Sequence, residues 1–157
     1  MTRVLFVCLG NICRSPLGEG ILRRMADEAG IELVVDSAGT GDYHVGELPD
    51  HRARAEGIKR GCDMSMRARQ FRAQDLVEFD LIVAMDHANI REIRRWHGNN
   101  GNVRLAMSFH PDAVEDVVPD PYYGSLSDFE QVADMLEAAC KGILEEIASG
   151  NRFDGAD

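Results

Sequence analysis

Basic residues are scarce in this chain. Seventeen Lys and Arg face 27 Asp and Glu, leaving a formal net charge of −10 over 157 residues. Such a surface repels polyanions, so neither nucleic acid nor an anionic membrane is expected as the main partner. It does not exclude a local anion site, because a few backbone N–H groups outweigh a distant acidic field. Long apolar runs are missing as well. The N-terminal "MTRVLFVCLG" is too short for a signal peptide or a membrane span, and a cytoplasmic location is the expectation. Cysteine is confined to Cys8, Cys13, Cys62 and Cys140, without a C-x-x-C pair, which argues against structural disulfides. The five histidines show no ligand spacing with each other or with cysteine, so no metal is expected. Repeats, low-complexity tracts and linkers are also lacking. With 45% hydrophobic and 28% charged residues, residues 1–157 read as one globular domain.

What is present is an alternation of strands and helices. Residues 3–8 ("RVLFVC") form a short buried strand. Ser15 and Pro16 look like the N-cap and first position of a helix. Leu17, Ile21, Leu22, Met25 and Ala29 follow at helical spacing, and Gly30 closes the run. A second strand covers "IELVVDSAG" (31–39). After a loop over 40–50, Asp50 caps a helix to about Gly57. "DLIVAM" (80–85) is a third strand, and Asp86 caps a helix carrying Ile90, Ile93 and Trp96. "GNNGN" (98–102) is a turn cluster, and "VRLAM" (103–107) is the fourth strand. Residues 108–125, with Pro111, Pro119 and Pro121, are irregular. A long helix runs from Leu126 to about Ala148, its buried face holding Phe129, Val132, Leu136, Cys140, Ile143 and Ile147. This order predicts an α/β domain with a parallel sheet, whose ligand sits beyond the carboxyl ends of the strands. Cys8, the turn after Asp36 and the Asp86 turn all fall at that edge.

The stretch "VCLGNICRSP" (7–16) reads as strand, C-x5-R-S, helix. Gly10 and Asn11 tolerate positive φ, so the loop can curl. A curled loop entering a helix points successive N–H groups at an anion, and Arg14 adds a planar fork for two oxygens. Cys8 would lie at the bottom of that cradle, where the donors favour a thiolate. Such a thiolate attacks phosphorus while the cradle holds the equatorial oxygens. Alone, C-x5-R is equally what a buried strand cysteine and a surface arginine look like; the Gly-Asn curl and Ser-Pro start favour the phosphate site. A proton donor is offered by "VVPDPYYGS" (117–125). There Asp120 stands between two prolines, beside an aromatic wall of Tyr122 and Tyr123, although a Pro-Asp-Pro turn has the same sequence.

Together these motifs resemble the low-molecular-weight protein tyrosine phosphatase family. "DSAGTGDYHVG", "RARQF" and "AMD" also fall in that family's order, and the likeness covers nearly the whole chain. The resemblance implies a three-layer domain: a four-stranded parallel sheet flanked by helices on both faces, with the phosphate loop after the first strand. It implies hydrolysis of phosphotyrosine proteins and small aryl phosphates through a cysteinyl-phosphate, no cofactor, and a monomer or weak dimer. Carried over by position, Cys8 is the nucleophile, Arg14 the phosphate clamp and Asp120 the general acid. Ser15 would hydrogen-bond the nucleophile and Asn11 would brace the loop. Substrate binding would fall to Leu9, Gly10, Asn11, Ile12, Cys13, Ser15, Tyr43, Tyr122 and Tyr123. In this family a cysteine at the place of Cys13 can form a reversible disulfide with the nucleophile; otherwise Cys13 is a small buried residue. Cys62 and Cys140 are expected to be structural or idle.

The chain departs from the family at two places. Met66 stands where a histidine often joins the hydrogen-bond network behind the loop, with a serine matching Ser37. His51 replaces a helix-starting proline and is expected to face solvent. Three alternatives share part of this pattern. Arsenate reductases of the same fold need further cysteines in mid-chain, where Cys62 is alone. Phosphoarginine phosphatases favour a small polar residue at Ile12. A non-catalytic phosphate-binding or redox-sensing module would not need Cys8, Arg14 and Asp120 together.

Overall fold

The computed structural model describes residues 1–99, 101–151 and 153; Asn100 of the 98–102 turn cluster lies outside them. Four parallel strands form one sheet in the order β2-β1-β3-β4: β1 (Thr2–Cys8), β2 (Leu33–Gly39), β3 (Leu81–Ala84) and β4 (Val103–Leu105). The helices are α1 (Arg14–Ala29), α2 (His51–Lys59), α3 (Asp75–Glu78), α4 (His87–His97) and α5 (Leu126–Ala148). A 3₁₀ turn, Ala106–Phe109, follows β4.

Period-two alternation divides the core. From β1, Val4, Phe6 and Cys8 join one hydrophobic cluster, and Leu5 and Val7 join the other. Leu81 and Val83 follow the first set, Ile82 the second. The first cluster takes in Leu17 and Ile21 of α1 and Leu136 and Ile143 of α5; the second takes in Ile93 of α4 and Phe71, Leu76 and Phe79. The sheet is thus covered on both faces, as the resemblance implied, and its central strands read as nearly continuous apolar runs for that reason. Each fully buried Leu, Ile or Phe contributes about 1.5–3 kcal/mol of hydrophobic stabilisation. Among the described residues, no helix is long and apolar enough to cross a membrane.

Several local expectations need correction. Helix α1 starts at Arg14 with Cys13 as its N-cap residue, so Ser15 is inside the helix and not its cap. On that helix Ala26 is buried and Ala29 exposed, because the inward face steps by four from Leu22. Strand β2 begins at Leu33, not residue 31, and β4 ends at Leu105, where the chain tightens into the 3₁₀ turn. Helix α3, one turn long, is not among the elements the sequence pattern predicts. Trp96 is 67% exposed, its indole N–H donating to Glu92 Oε2 at 2.9 Å on the outer face of α4. On α5, Leu144 is buried, whereas Ile147 packs only partly against the core. The caps at Asp50 and Asp86 do form: Asp50 Oδ1 accepts from Arg52 N at 2.8 Å, and Asp86 Oδ1 accepts from Asn89 N at 2.9 Å. His51 is 88% exposed at the first position of α2.

Candidate active site

The loop between β1 and α1 lies at the carboxyl edge of the central strand. Asn11 takes the left-handed conformation at φ 57°; Gly10 does not. A Cβ on Gly10 would stand 3.1 Å from His44 Cδ2, so a larger residue there has to push that side chain aside by a few tenths of an ångström. A Cβ on Gly39, at the end of β2, would stand 2.7 Å from the Leu9 carbonyl oxygen, so that glycine allows the loop to settle against the sheet. Three long-range N–H donors fix its carbonyls: Thr40 N to Cys8 O at 2.9 Å, Gly41 N to Leu9 O at 2.9 Å, and Asp50 N to Ile12 O at 2.8 Å. With the carbonyls held outward in this way, the N–H groups of Leu9, Gly10, Asn11, Ile12 and Cys13 pair with no acceptor among the described residues. Five such amides in succession at the start of a helix form an anion cradle.

Behind the loop runs a buried polar chain. Cys8 Sγ lies 3.0 Å from Ser15 Oγ. Asn11 Nδ2 donates to Ser15 Oγ at 2.7 Å and to Ser37 Oγ at 3.0 Å, and Asn11 Oδ1 accepts from Arg69 N at 3.0 Å. Because Ser15 Oγ accepts from Asn11, its own proton is left for Cys8 or for the Ala38 carbonyl, 3.5 Å away. Ser37 Oγ donates to Glu19 Oε1 at 2.6 Å, and Arg23 Nη2 donates to Glu19 Oε2 at 2.8 Å. Burial pushes the Glu19 carboxyl above its ordinary pKa, against the opposing pull of Ser37 and Arg23. The position of Met66 therefore does not leave the network open. Met66 packs against the hydrophobic core, and Glu19 with Arg23 closes the chain from α1.

Arg14 is buried, with a side chain only 4% exposed. Its Nη1 donates to Asp86 Oδ2 at 2.7 Å and to the Val118 carbonyl at 3.0 Å, and its Nη2 lies 3.9 Å from Asp120 Oδ2. Burial alone would lower its pKa, but the charges at Cys8, Asp86 and Asp120 prevail and raise it, so it stays a guanidinium. Cys13 has the opposite character. Burial first, then Asp50 and Cys8, push its thiol well up, with only Arg52 acting against them.

Cys8, Leu9, Gly10, Ile12, Cys13 and Arg14 line a cavity of about 300 Å³ from the loop side. Tyr43, Tyr122 and Tyr123, all exposed, line its mouth together with Asp120, whose side chain is 46% exposed. The three residues assigned catalytic roles on the sequence thus meet at one cavity with seven of the nine assigned to substrate binding. The remaining two, Asn11 and Ser15, place their side chains in the buried support behind it.

Four residues of the site were not identified from the sequence. Asp86 is expected as a helix cap at the carboxyl edge of the sheet, with no role in the site; its second carboxylate oxygen holds Arg14. His44 lines the cavity and contacts Glu47 through Nδ1 at 3.0 Å. Glu19 and Arg52 belong to none of the motifs found in the sequence. A glutamate on the inward face four residues before an arginine is the one signal that pointed to Glu19. Among the described residues no cluster of His, Cys, Asp and Glu fits a metal ion.

Comparison with known proteins gives a consistent outcome. The sequence model of the family described as "Low molecular weight phosphotyrosine protein phosphatase" matches residues 3–152. The low molecular weight protein-tyrosine-phosphatase of Streptomyces coelicolor is 42% identical over 92% of this chain and 93% of its own. The crystal structure of YfkJ from Bacillus subtilis superposes with a TM-score of 0.89 at 39% identity, covering 95% of this chain and 96% of that one. The Drosophila arginine phosphatase DARP superposes with a TM-score of 0.88 at 29% identity, covering 96% of this chain and 99% of that one.

Proposed function

Because the chain belongs to the low molecular weight phosphotyrosine protein phosphatase family, a family of hydrolases, we propose that it cleaves phosphotyrosine on protein substrates through a cysteinyl-phosphate. The observation that carries this reading is the meeting of Cys8, five unpaired amides, Arg14 and Asp120 at one cavity. The Cys8 thiolate attacks phosphorus in line with the phenolic oxygen. The amides and Arg14 hold the equatorial oxygens, where charge accumulates in the transition state. Asp120, as the acid, gives its proton to the departing phenolate. The resulting carboxylate then takes a proton from the water that cleaves the S–P bond, releasing phosphate and restoring the thiolate. Ser15 donates its hydroxyl proton toward Sγ and stabilises the thiolate as nucleophile and as leaving group.

The choice of phosphotyrosine over phosphoarginine rests on Ile12 and the tyrosines. Ile12 is a buried apolar residue in the cavity wall, and Tyr43, Tyr122 and Tyr123 offer faces to an aromatic ring. The purified protein is expected to show a kcat/KM at least ~10²-fold higher on a phosphotyrosine peptide than on the matched phosphoarginine peptide. The reverse preference overturns the substrate class, and inertness toward both overturns the hydrolase reading.

Cys13 is assigned a protective role. Peroxide oxidises the Cys8 thiolate to a sulfenic acid; the Cys13 sulfur displaces hydroxide from it, water leaves, and a disulfide remains that two thiols of dithiothreitol reduce. Wild-type enzyme inactivated by peroxide should recover most of its activity with dithiothreitol, whereas Cys13→Ser should recover little. Equal recovery of the two proteins removes this role from Cys13.

A further inference from the structure

The segment carrying Asp120 is exposed from Pro119 to Leu126 apart from Pro121, so burial does little to hold it. Among the described residues, the only hydrogen bonds tying residues 119–124 to another part of the chain come from one side chain, Arg52. Its Nη2 donates to the Tyr122 carbonyl at 2.8 Å and its Nη1 to the Gly124 carbonyl at 3.2 Å. The guanidinium also lies over the rings of Phe129, at 4.6 Å, and Tyr122, at 5.7 Å. Arg52 is itself fixed from behind. Asp50 Oδ1 accepts from its Nε at 3.0 Å, and Asp50 Oδ2 accepts from its Nη2 at 3.0 Å.

Asp50 reaches the other half of the site. Its backbone N–H donates to the Ile12 carbonyl at 2.8 Å, inside the phosphate loop. At the far end, the Tyr122 N–H donates to Asp120 Oδ1 at 3.0 Å, so the residue whose carbonyl Arg52 grips also orients the acid. The contacts run without a gap from Ile12 through Asp50, Arg52 and Tyr122 to Asp120. We propose that Arg52, braced by Asp50, is a positioning residue for the proton donor: it sets where Asp120 stands relative to the loop that bears Cys8. This rests on the phosphatase reading above. A planar guanidinium suits the task because it serves two carbonyls and a carboxylate at once from one rigid fork, which an ammonium cannot do.

The test measures single-turnover burst rates on aryl phosphates whose leaving groups span a range of pKa, together with a phosphotyrosine peptide. Arg52→Ala is expected to slow the peptide about tenfold or more, to slow p-nitrophenyl phosphate less, and so to steepen the dependence on leaving-group pKa. Arg52→Lys should lie between. Inhibition by inorganic phosphate should shift by less than about twofold, since the cradle is untouched. In an Asp120→Asn background, Arg52→Ala should steepen the dependence no further, because both changes remove the same proton transfer. Asp50→Asn serves if Arg52→Ala fails to fold: asparagine still caps α2, yet the charged brace is gone, and the slope should again steepen. A uniform loss on every leaving group, or effects that add to those of Asp120→Asn, overturns the proposal. If wild type does not turn over phosphotyrosine, or Asp120→Asn leaves the slope unchanged, it is the underlying phosphatase reading that has failed.

Discussion

Cys8→Ser is expected to abolish turnover of phosphotyrosine peptides and p-nitrophenyl phosphate while leaving the binding of phosphate-like anions close to wild type. The two halves of this result have separate physical causes. A serine hydroxyl is a far weaker nucleophile than a thiolate and has no base beside it: within hydrogen-bond reach of Sγ stands Ser15 Oγ, at 3.0 Å, another hydroxyl. Binding depends on different atoms. The unpaired amides of residues 9–13 belong to a backbone fixed by Thr40, Gly41 and Asp50, and Arg14 is held by Asp86 and Val118. None of these contacts involves Sγ. Turnover should fall by several orders of magnitude, and a competition assay with inorganic phosphate should give an inhibition constant within a few-fold of wild type. Residual activity above ~1% of wild type would remove Cys8 from the role of nucleophile.

Asp120→Asn is expected to slow phosphotyrosine cleavage by ~10²-fold or more, in keeping with the usual contribution of a general acid. The phenolate of tyrosine is a poor leaving group and needs a proton in the transition state; p-nitrophenolate is far less basic and needs it less. The loss should therefore be smaller on p-nitrophenyl phosphate. Asparagine preserves the local geometry, because its amide oxygen can still accept from Tyr122 N, as Asp120 Oδ1 does at 3.0 Å. KM should shift only modestly. The comparison requires single-turnover burst rates, so that ester cleavage itself is observed. An identical loss on every leaving group would reduce Asp120 to a shaping residue of its loop.

The sequence disclosed these two residues for a reason that does not extend to the rest of the site. Cys8, Asn11 and Arg14 act through a loop of consecutive residues, so their chemistry is written in local order. Asp120 is marked by the prolines on either side. The buried strands announced themselves as apolar runs, and Asp50 and Asp86 as caps. What failed to show is what depends on distant pairing. The partnership of Arg14 with Asp86 spans 72 residues, and that of Arg52 with Tyr122 spans 70. Nothing local distinguishes such an arginine from a solvated one. Ser15 resembles a cap because Ser-Pro is a common helix start, whereas here the curl of the loop starts the helix two residues earlier and turns the hydroxyl inward to Cys8 and Asn11. Trp96 sits at helical spacing from Ile93, yet Ile93 is buried and Trp96 is exposed. Met66 points in sequence to a weakened network, because the contact of Glu19 with Ser37 joins two distant elements.

The position of β1 in the sheet has a consequence for the order in which the chain matures. This strand and its loop precede in the chain most of the residues that complete them. Val4 to Val7 pair with β3, Arg14 is held by Asp86 and the Val118 carbonyl, and Asp50 reaches back to Ile12. Parallel pairing of this kind has high contact order, since the loops must close before the contacts that reward them can form. Until those contacts form, the Cys8 thiol lacks the folded loop, Arg14 and Asp120 around it. Reactivity arrives only with the long-range contacts that complete the fold, so the appearance of phosphatase activity on refolding should track global collapse of the sheet and not the formation of α1.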